Sequence, residues 1–142
     1  MNKILTLTDT QTAEQYYAEK LWQSETLYLL MRRNADVTPN AFALSDPHKR
    51  ITWAATAQWV DSVAASLKDA GLSTGDRVSI WLPNRIEAII VFLACSRNGY
   101  ICNTSLHQNY TAAEIVTLLE SIKSKAVFYQ VGYGADAKSA DV

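Results

Sequence analysis

Cysteine is scarce in this chain. Only Cys95 and Cys102 carry thiols among 142 residues, too few for a disulfide framework or a structural zinc site. Both stand in apolar stretches, which predicts free, buried thiols in a reducing compartment. Long hydrophobic runs are also missing. The longest, Ala88 to Cys95, has eight residues, against the roughly 20 that a membrane span needs. The opening segment, Met1 to Glu14, lacks the basic start, apolar block and small-residue cleavage site of a secretory signal. The expected location is therefore the cytoplasm. An excess of one charge is absent too: Lys plus Arg is 13, Asp plus Glu is 14, and the formal net charge is −1. A general nucleic-acid binder needs a basic field, so no nucleic-acid partner is expected.

What is present is a globular composition. Apolar residues make up 49% and charged residues 19%, too apolar and too close to neutral for intrinsic disorder. A chain of this length forms one domain, residues 1–142, and buries roughly 70% of its unfolded surface. No internal repeat or low-complexity segment interrupts it.

The spacing of apolar residues predicts the elements. Thr12 to Gln23 reads as a short surface helix. Thr26 to Asn34 reads as a second, with Leu27, Leu30 and Met31 at helical spacing and Arg32 and Arg33 in its last turn. Thr38-Pro39 stops it. Ala41 to Ser45 and Arg50 to Trp53 are strand-like runs around the polar turn Asp46-Pro47-His48-Lys49, a β-hairpin. Trp53 to Ala70 is a helix capped by Thr52, with Val60, Val63, Ala64 and Leu67 on one face and Gly71 beyond its end. Asp76 to Leu82 is a strand. Asn84 to Asn98 is a helix, apolar nearly all round and therefore buried, with Asn84 and Glu87 spaced as a capping box and Gly99 ending it. Tyr100 to Asn103 is a short strand. Thr111 and Glu114 form a second capping box, opening a helix with Ile115, Leu118, Leu119 and Ile122 on one face, and Ala126 to Gln130 is a last strand. Residues 1–11 and 132–142 show no period and are expected to be poorly ordered. Strands joined by helices imply parallel pairing. The fold class is α/β: a Rossmann-like or flavodoxin-like, mostly parallel sheet with flanking helices and the hairpin beside it.

Ligands of open α/β sheets bind beyond the carboxyl ends of the strands. The loops there offer Asn84 and Arg85, then Thr104, Ser105, His107, Gln108, Asn109 and Tyr110. His107 has no Cys, Ser or carboxylate at a recognisable catalytic spacing. The helix starts at Asn84 and Thr111 would suit an anion, but Glu87 and Glu114 are spaced to take those amides. Gly71-Leu72-Ser73-Thr74-Gly75-Asp76 lacks the lysine of a phosphate loop and enters a strand, at the wrong edge of the sheet. Gly132-Tyr133-Gly134 is half of a dinucleotide fingerprint with no helix after it. His48 is a turn residue, and no metal-ligand spacing occurs. No catalytic, cofactor-binding or metal-ligating residue is assigned on motifs.

The ordered set of segments does resemble a known family. Arg50-Ile51-Thr52-Trp53, then Gly71 to Asn84 with Arg77-Val78-Ser79-Ile80-Trp81-Leu82-Pro83-Asn84, then Phe92 to Asn103 with Arg97-Asn98-Gly99-Tyr100, is similar to the start of the adenylate-forming acyl-CoA synthetases. Asn34 to Asp46, Thr111 to Ile115, Leu118-Leu119 and Ala126 to Tyr129 continue the similarity, which runs from about Tyr17 to about Asp136. The segment Tyr17 to Leu29, Tyr110 and Gly132-Tyr133-Gly134 tilt it toward ligases for aryl, alicyclic or fatty acids. Two departures are Thr104, where a proline is usual, and Ala55, where an acidic residue often completes a box with Thr52.

The resemblance implies an enzyme that activates a carboxylic acid with ATP and Mg²⁺, forms an acyl-adenylate, and passes the acyl group to coenzyme A. It also implies that the phosphate loop, the catalytic lysine and the acyl pocket lie downstream of the matched region. This chain then holds an incomplete first part of the family's large N-terminal domain and is inactive alone. A different reading is a stand-alone interaction module, whose protein partner covers the unfinished sheet. A third is a small flavodoxin-like binding domain using the Asn84 and His107 loops.

Overall fold

The structure is a computed structural model that describes residues 9–104 and 106–138. Chain order is α1 (Thr10–Ala18), α2 (Leu27–Val37), β1 (Phe42–Ser45), β2 (Arg50–Thr52), α3 (Trp53–Asp69), β3 (Arg77–Trp81), α4 (Ile86–Asn98), β4 (Ile101–Asn103), α5 (Ala112–Ser121) and β5 (Ser124–Tyr129). β1 and β2 pair antiparallel. β3 is the centre of a parallel sheet ordered β4-β3-β5. The α/β class with a parallel sheet, flanking helices and a hairpin is therefore the observed one.

The pleat of β3 divides the core. Val78 and Ile80 face α4, and their cross-strand partners Cys102, Ala126 and Phe128 join them in one cluster with Leu67, Val91 and Cys95. Trp81 faces the other way, onto Leu106 and Ile115 under α5. The far side of α4 packs Ile86, Ile90 and Ala94 on Ala57, Val60 and Ala64 of α3 and Met31 and Ala35 of α2, with Leu44 and Ile51 of the hairpin at the margin. Helix α4 thus lies between two apolar layers, which is why its sequence is apolar nearly all round.

Several boundaries differ from the sequence reading. Helix α1 begins at Thr10, where the Asp9 carboxylate accepts from the Gln11 and Thr12 amides, and ends at Ala18. Trp22 folds back edge-on to Tyr16 and Tyr17. Helix α2 runs on to Val37, so Arg32 and Arg33 are interior rather than terminal. Arg32 pairs with Asp61 at 3.4 Å and Arg33 with Glu25 at 3.2 Å, so ion pairs rather than the helix dipole hold them. Asp61 is a hub: it also accepts from Tyr28 Oη at 2.9 Å and pairs with Arg97 Nε at 3.0 Å, joining α2, α3 and α4. Helix α4 begins at Ile86, not Asn84, and β5 begins at Ser124. Gly99 ends α4 in the left-handed region, φ 70°. Of the two end segments, residues 1–8 and 139–142 lie outside the described residues. Among the described residues no helix is long and apolar enough to cross a membrane.

Candidate functional site

The carboxyl edge of the sheet is built from the loops after β3, β4 and β5. Between the first two lies a cavity of ≈ 430 Å³. Its floor is apolar, with Ile80, Leu82, Phe92 and Leu106, and its rim carries Asn84, Thr104, His107 and Tyr133. A smaller cleft of ≈ 150 Å³ shares Asn84 and Ile89 with it and runs to the hairpin turn at Asp46 and Pro47. An apolar cavity with a few polar rim groups is the usual form of a small-molecule site.

The His107 carbonyl and the Arg85 side chain hold the loops of this edge together. The Trp81 indole N–H donates to the His107 carbonyl at 3.1 Å. The His107 ring is exposed and stacks on Tyr110, with centroids 6.2 Å apart. His107 therefore contributes a backbone acceptor to the packing, and no acid–base partner for its ring is seen among its described contacts. Gln108 and Asn109 are exposed turn residues, and Ser105 lies outside the described residues. Arg85 crosses from the loop after β3 to that after β5: its Nη1 donates to Gln130 Oε1 at 3.2 Å, and its Nε lies 3.3 Å from Glu87 Oε2.

The expected Asn84–Glu87 capping box does not form. Arg85 is the N-cap of α4 and makes no side-chain cap. Glu87 is consequently one position too early to reach back to the cap amide. It accepts from Lys49 Nζ at 2.8 Å instead. The vacated role falls to Asp46, forty residues upstream, whose Oδ2 accepts from the Ile86 amide at 3.3 Å while its Oδ1 accepts from the His48 and Lys49 amides at 2.8 and 2.9 Å. Desolvation pushes the Asp46 carboxyl up, but the His48, Ile86 and Lys49 amides outweigh it and leave it below its ordinary value. Desolvation likewise pushes Glu87 up, but Lys49, the Glu87 backbone amide and Arg85 outweigh it and leave it below its ordinary value.

Helix α5 forms its box as expected. Thr111 Oγ1 accepts from the Glu114 amide at 3.3 Å, and Glu114 Oε2 accepts from the Thr111 amide at 2.8 Å. These bonds from the Thr111 amide and hydroxyl hold Glu114 below its ordinary carboxyl value. Asp136 Oδ1 takes the next amide, Ala112, at 3.0 Å. Carboxylates therefore occupy amides at both helix starts on the edge, which disfavours a phosphate there.

The remaining glycine motifs are structural. Asp76 Oδ2 accepts from the Ser73 amide at 2.8 Å, closing the turn before β3 at the opposite edge. Gly134, at φ 135°, lies against Trp81. A Cβ there would come 2.7 Å from the ring. The Ala135 amide donates to the Tyr110 carbonyl at 2.9 Å, and Tyr133 meets Trp81 edge-on. Gly132-Tyr133-Gly134 thus packs over the sheet and opens no helix among the described residues. Sequence reasoning missed Gln130, Tyr133 and Asp46 as parts of this edge. The aromatic between two glycines was the available signal for Tyr133. Among the described residues no group of three His, Cys, Asp or Glu is arranged to hold a metal ion.

Residues 31–141 match the family model for the AMP-binding enzyme. A mitochondrial medium-chain acyl-CoA ligase of Macaca fascicularis is 32% identical over 108 residues, which are 75% of this chain and 17% of that protein. A vibriobactin-specific 2,3-dihydroxybenzoate-AMP ligase of Vibrio cholerae is 33% identical over 87 residues, 61% of this chain and 16% of that protein. Among solved structures, the apo form of MbtA from Mycobacterium smegmatis superimposes with a TM-score of 0.73 at 26% identity, covering 86% of this chain and 23% of that one. A fatty acyl-CoA synthetase of Mycobacterium tuberculosis gives 0.63 at 28% identity, covering 73% and 21%.

Proposed function

The chain belongs to the AMP-binding enzyme family, and on that premise we propose that it supplies the first part of the large N-terminal domain of an ATP-dependent acid–CoA ligase. The complete enzyme activates a carboxylic acid as its adenylate, releases pyrophosphate and transfers the acyl group to coenzyme A. The substrate class is an aryl, alicyclic or fatty acid. ATP, Mg²⁺ and coenzyme A are its cofactors. The setting is the cytoplasm, in keeping with two cysteines that are both free. Cell fractionation checks this, and recovery with mitochondria overturns it.

The described residues do not fit the nucleotide. A triphosphate needs open helix-start amides or a lysine-bearing glycine loop. Here Asp46 takes the Ile86 amide, and Glu114 and Asp136 take the Thr111 and Ala112 amides. No step of adenylation is assigned to residues of this chain, which is inactive alone. The observation that carries this reading is a family match over residues 31–141 combined with helix starts closed by carboxylates. ATP–pyrophosphate exchange by the purified chain with a panel of aryl, alicyclic and fatty acids tests it. No exchange above background is expected, and robust exchange overturns the claim of inactivity.

A second reading rests on the open edge of the sheet. Tyr129 and Val131, at the end of edge strand β5, are 39% and 74% exposed. An exposed strand edge is a template for another chain. In this reading a protein partner carrying the remainder of the enzyme covers it. Co-purification supports the reading, and a stable monomer that binds no hydrophobic dye rejects it.

A further inference from the structure

Both cysteines are free, and the fold places them on one apolar cluster. Cys102 is paired in register with Val78. Directly paired residues project to the same face of a sheet, and Val78 faces α4. Cys95 lies on the sheet-facing side of α4, in the same cluster as Val78, and Cys102 packs against that cluster. The two thiols therefore meet the same apolar cluster from opposite sides, one from the helix and one from the strand. Only the turn at Gly99 separates α4 from β4. Their exposure differs: Cys95 is 1% exposed and Cys102 is half-buried.

We propose that Cys95 and Cys102 form a thiol pair that a peroxide oxidises to an intrachain disulfide between α4 and β4. The Cys102 thiolate attacks one peroxide oxygen. The O–O bond breaks, one water leaves after protonation, and Cys102 becomes a sulfenic acid. The Cys95 sulfur then attacks the Cys102 sulfur, the S–O bond breaks, the S–S bond forms, and a second water leaves with the Cys95 proton. Two thiols lose two electrons in all, and one hydrogen peroxide becomes two waters. The division of roles follows from the structure. Cys102 is the more accessible thiol, and the neighbouring Cys95 thiol lowers it toward its thiolate, whereas the Cys102 thiol and burial hold Cys95 protonated. Closure joins the two elements that bring Phe92 and Thr104 to the cavity at the carboxyl edge.

The test treats the full chain with hydrogen peroxide, blocks remaining thiols by alkylation, and maps tryptic peptides without reduction. Trypsin cuts after Arg97, between the two cysteines, so a disulfide is read as two linked peptides. The expected result is a monomeric chain lighter by two hydrogens, both thiols lost together, and both restored by dithiothreitol. The oxidised chain melts at a higher temperature than the reduced one. Cys95→Ala, checked for folding by its melt, leaves a Cys102 sulfenic acid that dimedone traps. Two alkylatable thiols after oxidation, stepwise over-oxidation of Cys102 alone in the parent chain, or a disulfide found only between two chains overturns the proposal. The mapping of the parent chain decides the matter even where the variant fails to fold.

Discussion

Helices α4 and α5 begin alike in sequence and differently in space. Each is preceded by a capping residue with a glutamate three positions on, Asn84 with Glu87 and Thr111 with Glu114. At α5 the box closes within its own turn. At α4 the helix starts at Ile86, the glutamate turns to Lys49, and the carboxylate that meets the first amide comes from the hairpin. One start is closed by a box of four consecutive residues, to which Asp136 adds a bond to the Ala112 amide, and the other depends on a contact across forty. A capping box is therefore a statement about the position of the N-cap. When that position moves by one residue, from Asn84 to Arg85, the same letters lose their reciprocal geometry.

The comparison breaks most sharply if the α5 start stands without its platform. Trp81, 1% exposed, lies beneath Leu106, Ile115 and Tyr133. Trp81→Ala is expected to cost about 3–5 kcal/mol in denaturant unfolding. Amide exchange should rise in residues 106–121 and 132–138, while the hairpin and the start of α4 keep their protection. A uniform loss of protection would mean that the two regions unfold as one.

Acid is expected to act on both starts, next in size. Asp46, Glu87 and Glu114 all titrate below their ordinary values in the folded chain. The unfolded chain then binds more protons through this range. Their stabilisation is fully present above the ordinary values of 3.8 and 4.5 and is lost as pH falls through the lower folded values. Asp46→Asn should lower the melting temperature at pH 7 and flatten its acid dependence, with exchange increasing in the hairpin and α4 together. Glu114→Gln should flatten the acid dependence with changes confined to α5. An Asp46→Asn melt that falls in parallel with the parent from pH 6 to pH 3 would remove Asp46 from the account.

Smaller effects sharpen the contrast. Thr111→Ala removes one local cap and should cost about 1 kcal/mol, read as fraying of α5 alone. Helix α3 carries half a box, because Thr52 Oγ1 accepts from the Ala55 amide at 3.2 Å with no acid to return the bond. Ala55→Glu completes it and should raise stability by about 0.5 kcal/mol. An unchanged melt there would show that the Thr52 backbone amide is not short of a partner.

Much of the fold was legible because the relevant signals are short. Thr26, Thr52 and Thr111 each meet an amide three residues on, and that spacing is set by the helix itself. Alternation in Val78, Ile80 and Leu82, and the polar Asp46-Pro47-His48-Lys49 turn, are equally local. The site was less legible. His107 drew attention as a histidine at the correct edge, yet its carbonyl, which any residue supplies, makes the structural contact. Gln130 carries no motif, and the turn that holds Asp46 and the glycine pair that holds Tyr133 do not name the helix start or the ring they meet. Their roles come from what stands opposite them.

The scarcity of cysteine illustrates the same division. The sequence by itself determined that two thiols form no framework, that the chain alternates strand and helix, and that α5 is capped from within. Only the tertiary structure decided that Cys102 packs against the cluster that holds Cys95, that Asp46 caps α4, and that Arg85 reaches Gln130. The first group of facts depends on neighbours within a few residues, whose separation is fixed by covalent geometry and the helix or strand repeat. The second depends on which faces pack together, and that is settled by the burial of whole layers.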